Sequence, residues 1–369
     1  MLRGFRLGGP SHCILSNLAS SGREGRPPFQ SQPRCHAGST GFARSALPAL
    51  DFSRRRGLVY ASLVVSRFRK PRRLVGGGRV GIVAPASSFD RVEFEKGIAV
   101  LRRMGYVPVY DEGIFSRHLY FAGADSMRAE SLIRYLNDDD IAAVLCVRGG
   151  YGAARLLPYL KAGNWKTPKI FVGCSDVTAL LSFLSSELGW ISFHGPMVAG
   201  DFARERVGIP QWGTVLGGGE FPCAIQDKTV CWRSGQARGI LFGGCLSILC
   251  SLAGTKTRWQ MEEAGDLLLF LEDIRCRPYQ IDRMLTQLVQ SGLMARVRGL
   301  ILGEMVDCDA AGPDLKSVVL DALAQFRFPI VYGFPSGHTS GESLVLPFGL
   351  PVELDADGNR IVFLESPVT

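Results

Sequence analysis

Long hydrophobic runs are missing from this 369-residue chain. The mostly apolar stretch 58–65 is far shorter than the roughly 20 residues a spanning helix needs, and arginines flank it. None of the ten cysteines forms a C-x-x-C pair, which removes zinc knuckles and thioredoxin-like redox motifs from consideration. Most cysteines sit inside apolar segments, as in Leu145-Cys146-Val147, and read as free thiols in a reducing compartment. Histidine is scarce, with five in all and three beyond residue 75, so few groups are available as a general base. Internal repeats are absent. What remains, 46% hydrophobic and 21% charged, is the composition of an ordinary globular protein, long enough for two domains.

Acidic residues are nearly missing from one end. Residues 1–75 hold 14 Lys/Arg against only Glu24 and Asp51, a net charge of +12, which leaves −4 for the rest and +8 overall. The body therefore offers no basic groove for nucleic acid. The 1–75 segment is rich in Arg, Ser, Gly and Pro and lacks the apolar core of a secretory signal, so it reads as a disordered organellar transit peptide. The competing reading is a disordered basic tail or a misassigned start, which would leave the protein cytoplasmic. Cleavage of a leader is expected between about residue 40 and about residue 78.

From Arg79 onward, apolar strands alternate with amphipathic helices: strands at 79–84, 106–110, 141–147, 169–173 and 191–193, helices at 90–103, 125–136, 153–160 and 177–188. Continuous rather than alternating apolar strands imply a mainly parallel sheet covered on both faces, an α/β doubly wound domain over 79–200 with its site at the strand C-termini. Residues 201–237, with Gly217-Gly218-Gly219, read as a linker. A smaller mixed α+β domain is expected over 238–369. It has helices at 246–252, 279–297 and 315–326, strands at 266–271, 300–305 and 330–333, and a closing meander at 343–347, 351–354 and 360–364.

Ser175 follows the apolar strand of Phe171-Val172-Gly173 and precedes a helix at once. Such a turn lifts a hydroxyl out of the sheet with backbone N–H groups beside it, suiting a nucleophile with an anion hole. An N-cap serine is the competing reading. Acyl transfer also needs a base and a group to orient it. His118, His194 and His338 are all candidates: the first in an irregular aromatic stretch, the second closing a strand, the third in the small-residue turn Ser336-Gly337-His338-Thr339. Glu272 and Asp273, straight after five apolar strand residues, would be costly to bury without a partner, though either could merely cap the turn before Pro278. The loop Arg148-Gly149-Gly150-Tyr151-Gly152 fits no nucleotide-binding signature, but its glycines let main-chain N–H groups approach a developing negative charge.

Together these residues resemble the serine LD-carboxypeptidases, the muramoyltetrapeptide carboxypeptidases of peptidoglycan recycling. The resemblance rests on the ordered blocks Val80-Gly81-Ile82-Val83-Ala84-Pro85-Ala86-Ser87, Arg148 to Gly152, Gly173-Cys174-Ser175-Asp176, His194-Gly195-Pro196-Met197, Leu269-Phe270-Leu271-Glu272-Asp273, Pro278-Tyr279-Gln280-Ile281-Asp282-Arg283 and Gly337-His338-Thr339. It implies Ser175 as nucleophile, Glu272 and His338 as its triad partners, and an oxyanion hole from the N–H groups of Asp176 and of Gly149 or Gly150. Release of a C-terminal D-amino acid from a muropeptide tetrapeptide is the implied reaction, in a homodimer, with no metal or organic cofactor. Arg148 is a candidate for the substrate's terminal carboxylate. The same family includes hydrolases of peptidyl-nucleotide antibiotics, and a non-catalytic binder of peptidoglycan fragments could keep the fold. Cys174 stands where an aromatic residue is common, and Cys245 where the family block usually carries Asn. Peptidoglycan chemistry favours the chloroplast over the mitochondrion as the destination of the leader.

Overall fold

Apolar continuity places the central strands, as expected, but the chain weaves between two sheets more than its sequence suggests. The structure is a computed structural model that describes residues 68–255, 265–309 and 312–369, all within one compact unit. Its first sheet is built from β1 (Arg79–Val83), β2 (Val107–Val109), β3 (Ala143–Cys146), β4 (Ile170–Gly173) and β5 (Ser192–His194), all parallel. Every residue of β3 and β4 is buried. Helices α1 (Arg91–Arg103), α2 (Asp125–Asn137), α3 (Leu157–Lys161) and α4 (Thr178–Ser186) alternate with these strands. Asp90 caps α1 by accepting from the N–H groups of Val92 and Glu93, at 2.8 and 3.0 Å.

The second sheet follows α5 (Ile209–Gly217). It contains β6 (Cys223–Gln226), β7 (Val230–Arg233), β8 (Gln236–Cys245), β9 (Leu267–Glu272), β10 (Val297–Gly303) and β11 (Ile330–Phe334), with α6 (Leu246–Leu252), α7 (Pro278–Gln290) and α8 (Leu315–Ala322) between strands. Strands β8 to β11 are parallel neighbours, and β7 pairs antiparallel with β11. After β12 (Leu346–Phe348), the hairpin of β13 (Pro351–Asp355) and β14 (Arg360–Phe363) adds to β8, and β6 closes that edge. The α7 stripe of Ile281, Leu285 and Leu288 is buried in a core separate from the larger one around the first sheet.

Four expectations are corrected. Residues 201–237 are not a bare linker: they hold α5, β6 and β7, and the glycine run only ends α5, with Gly218 left-handed at its C-cap. The long helix expected over 279–297 stops at Gln290, because Gly292 turns the chain at φ 80° and Val297 already begins β10. The closing meander is broken, since β12 leaves for the first sheet and pairs antiparallel with β5, matching Leu346 with His194. Burial of all three β12 residues on that edge explains the detour. Lastly, residues 68–75 are part of the fold rather than of a leader: Arg69 bridges to Trp190, and Leu74, buried, donates its N–H to Leu216 O at 2.7 Å. The remainder of the expected leader lies outside the described residues.

Candidate active site

β4 ends in Gly173, and the chain must reverse into α4 within a few residues. Ser175 absorbs that reversal with φ 60°, a left-handed conformation costing a serine roughly 1 kcal/mol. Strain of this kind persists where the surroundings over-determine it, and here they do. Val177 N–H reaches Cys174 O at 3.2 Å, while the buried Asp176 carboxylate accepts from Ala153 N–H at 2.7 Å. That second bond ties the serine turn to the glycine loop following β3. Burial raises the Asp176 pKa, against the Ala153 N–H and the Arg128 charge.

Gly149 is the glycine that meets the serine. A Cβ added there would lie 2.8 Å from Ser175 Cβ, 3.0 Å from Ser175 Oγ and 3.2 Å from Asp176 N, so the missing side chain leaves free the space above the hydroxyl and one candidate oxyanion N–H. Gly150 faces Ser87 instead, whose Oγ accepts from Tyr151 N–H at 3.0 Å and holds the loop in place. Arg148 is exposed, and its guanidinium reaches Ser88 O at 3.4 Å.

Glu272 closes β9 and is fully buried. His338 donates to it twice: its backbone N–H to Oε2 at 3.1 Å and its ring through Nδ1 to the same oxygen at 2.6 Å. Burial disfavours the Glu272 carboxylate, yet the His338 charge and the approach of His194 outweigh this and hold Glu272 well below the usual carboxylate range. Burial likewise disfavours the imidazolium of His338, and the Glu272 charge overrides it, raising the pKa from 6.5 to about 9.

His194 occupies the other side of the same carboxylate. Its Nε2 lies 3.6 Å from Glu272 Oε1, a long contact between two buried atoms with no closer partner, and its Nδ1 is 2.9 Å from Ser336 Oγ. The ring packs edge-on against Phe270 at 5.1 Å. Gly337, at φ 82°, separates the two: a Cβ there would come within 2.7 Å of both Glu272 Cδ and His194 Cε1. His118 pairs by backbone with Phe121, in the irregular segment before α2.

The serine and the ion pair belong to different sheets, and the register brings them together. Gly173 is opposite His194 across β4 and β5, and Cys245 is opposite Glu272 across β8 and β9. Cys245 N–H donates to Thr178 Oγ1 at 3.0 Å, pinning the end of β8 to the start of α4. No hydrogen bond joins Ser175 Oγ to His338 among the described residues. Nor do those residues hold a group of three His, Cys, Asp or Glu able to bind a metal ion. Sequence reasoning missed Asp201, whose carboxylate accepts from Met197 N–H at 3.2 Å; burial raises its pKa, and His338 lies near enough to act on it. No spacing in the sequence signals it. The partnership of His194 with Glu272 was also missed, although the position of His194 one strand after the serine carried a hint.

Two family models match this chain. Residues 80–195 match the LD-carboxypeptidase N-terminal domain, and residues 238–354 the LD-carboxypeptidase C-terminal domain. A putative carboxypeptidase of Streptomyces coelicolor is 37% identical over 78% of this chain and 94% of its own length. The murein tetrapeptide carboxypeptidase of Pseudomonas aeruginosa is 29% identical over 77% of this chain and 94% of its own. Among solved structures, MccF in complex with glutamyl sulfamoyl guanosine superposes with a TM-score of 0.73 at 22% identity, covering 81% of this chain and 99% of that one.

Proposed function

This chain belongs to the LD-carboxypeptidase family, and from that premise we propose that it hydrolyses the L,D-peptide bond releasing a C-terminal D-amino acid, D-alanine, from muropeptide tetrapeptides. The observation that carries the reading is the pairing of His338 with the buried Glu272, joined at 2.6 Å through Nδ1, within a site whose serine turn is kept open by Gly149. Engaging Nδ1 leaves Nε2 of His338 as the nitrogen for the serine proton. Ser175 Oγ attacks the carbonyl while His338 takes its proton. The resulting oxyanion is met by the N–H groups of Asp176 and Gly149, and His338 returns the proton to the departing amine. Water then attacks the acyl-enzyme with His338 again as base, and Glu272 stabilises the imidazolium in both halves. The absence of a direct Ser175–His338 bond suits a resting site, where such bonds are often long until substrate binds.

The test is D-alanine release from a muropeptide tetrapeptide by purified protein. Ser175→Ala is expected to lose about 10⁴-fold or more in kcat while unfolding at an unchanged temperature. Turnover at the wild-type rate would remove Ser175 from the mechanism. A wild-type protein that bound the tetrapeptide without cleaving it would make the chain a binder of peptidoglycan fragments. Preferential hydrolysis of a peptidyl-adenylate analogue would transfer the same triad to peptidyl-nucleotide substrates.

A further inference from the structure

Eight cysteines fall among the described residues, and two of them, Cys276 and Cys308, are close neighbours. They sit in the loops that leave the adjacent parallel strands β9 and β10 at the same end of the sheet. Ile274 and Val306 pair across these loops, and Arg275 N–H donates to Val306 O at 2.8 Å. Each cysteine is two residues beyond its member of that bridge, so the backbone holds the two in neighbouring loops. Cys308 Sγ lies 3.5 Å from Val306 O and 3.9 Å from Asp273 O, and Cys276 Sγ lies 3.7 Å from Ile274 O. Three non-glycine residues, Arg275, Met305 and Asp307, hold left-handed conformations in these loops, at φ 58°, 48° and 57°. So much strain in so short a stretch means the surroundings hold both loops in place. Burial pushes up the thiols of Cys146, Cys174 and Cys245, and the hydrogen bond with Cys308 pushes up that of Cys276.

The loops also bear on the active site. The 273–277 segment continues directly from Glu272. In the other loop, the Glu304 carboxylate accepts from both Ser340 N–H and Ser340 Oγ, at 2.8 and 2.6 Å, two residues beyond His338. We propose that Cys276 and Cys308 form a reversible disulfide, a modification site that clamps the loop behind Glu272 to the loop holding the His338 turn. A low-molecular-weight disulfide such as glutathione disulfide is the oxidant. With the proton of the pair resting on Cys308, the half-buried Cys276 attacks one sulfur of glutathione disulfide, forming a mixed disulfide and expelling one glutathione thiolate. Cys308, 1% exposed on the inner side, then attacks Cys276 Sγ as thiolate and expels the second. Two protein thiols are oxidised and one glutathione disulfide is reduced to two thiols. The hydrogen bond between the two thiols lowers Cys308 and raises Cys276, so the pair gives up its first proton as a unit.

The full chain, treated with glutathione disulfide at pH 8 and digested without reduction, is expected to give a peptide pair linked through residues 276 and 308. The linkage leaves the chain about 2 Da lighter, and dithiothreitol reverses it. Closing the loop should raise the unfolding temperature by about 2–8 °C. Cys308→Ser is expected to stop at the first step, with an adduct of roughly 305 Da on Cys276 and a smaller temperature gain, if any. Separate glutathione adducts on both cysteines would overturn the proposal. So would linkage of either to a different cysteine, or unreacted thiols at both positions.

Discussion

His338 reaches one oxygen of Glu272 with two donors, its backbone N–H at 3.1 Å and its ring Nδ1 at 2.6 Å, so the turn and the imidazole are fixed by the same atom. The base of the proposed reaction thus cannot tilt without losing a charge-assisted bond.

A pH profile should display that bond. His338 must be neutral to accept the serine proton, and its pKa stands near 9 in the resting protein. The value of kcat/KM is therefore expected to climb from neutrality to about pH 9 and then level off. Glu272→Gln removes the charge that raises the imidazole, so the limb should move toward 6.5 while the plateau falls by about 10³- to 10⁴-fold. A limb that stayed in place in Glu272→Gln would detach it from His338.

Stability should follow the same pair with a definite sign. The folded pKa of His338 is above its ordinary 6.5, so its contribution is complete below that pH and is lost as pH rises through about 9. Glu272 is held below its ordinary 4.5, so its contribution is complete above that pH and lost in acid. The advantage of wild type over His338→Ala in unfolding temperature is therefore expected to be greatest between about pH 5 and 6.5 and to shrink toward pH 9. Thermal scans of both proteins across that range check it.

Gly149→Ala tests the oxyanion assignment with a single methyl group. The new Cβ would crowd Ser175 Oγ and Asp176 N at 3.0 and 3.2 Å. A loss of about 10²- to 10³-fold in kcat is expected, with the fluorophosphonate-reactive serine slowed in parallel. Unchanged kcat would place the anion hole elsewhere.

His194 shows where reading the sequence stopped short. Its H-G-P block marked a strand end beside the serine, and three candidate bases remained open on pattern alone. The geometry gives His194 a different task, since it is fully buried between Ser336 and Glu272 and lacks the partial exposure of His338. Strand continuity made the parallel strands of the first sheet legible, because burial on both faces leaves long apolar runs, whereas β8 of the second, interrupted by Gly239, Gly243 and Gly244, did not read as a strand. Destinations were not legible: β12 reads like a meander strand, yet it joins the other sheet, since pairing across 152 residues of sequence leaves no local trace. Likewise the triad's residue types were visible, but the second histidine on the carboxylate depends on the β4–β5 and β8–β9 registers. His194→Phe keeps the ring packing but strips Glu272 Oε1 and Ser336 Oγ of their neighbour. It is expected to cost about 2–4 kcal/mol of stability, read by denaturant unfolding, and a cost below the error of that measurement would make His194 a packing residue only.

The position of Phe68 narrows where an organellar leader could be cut. A Cβ on Gly349 would fall 2.8 Å from the Phe68 ring, Ile191 N–H donates to Arg69 O at 3.0 Å, and Arg73 N–H donates to Thr369 O at 3.0 Å. Lys70 adds an ion pair with Glu365 at 3.2 Å. Cleavage beyond Phe68 would strip these contacts from the edge of β5 and from the C-terminus, so the sequence-based range of about 40 to 78 contracts to about 40 to 67. Mass-spectrometric mapping of the mature N-terminus in isolated organelles is the direct measurement. A first residue within that range is the expected result, and a chain trimmed to residue 60 should unfold at the same temperature as the full one. A chain trimmed to residue 76, lacking Arg69 and Leu74, should unfold several degrees lower. A mature protein that retained Met1 in the cytosol would end the transit-peptide proposal and leave the Ser175–His338–Glu272 assignment standing.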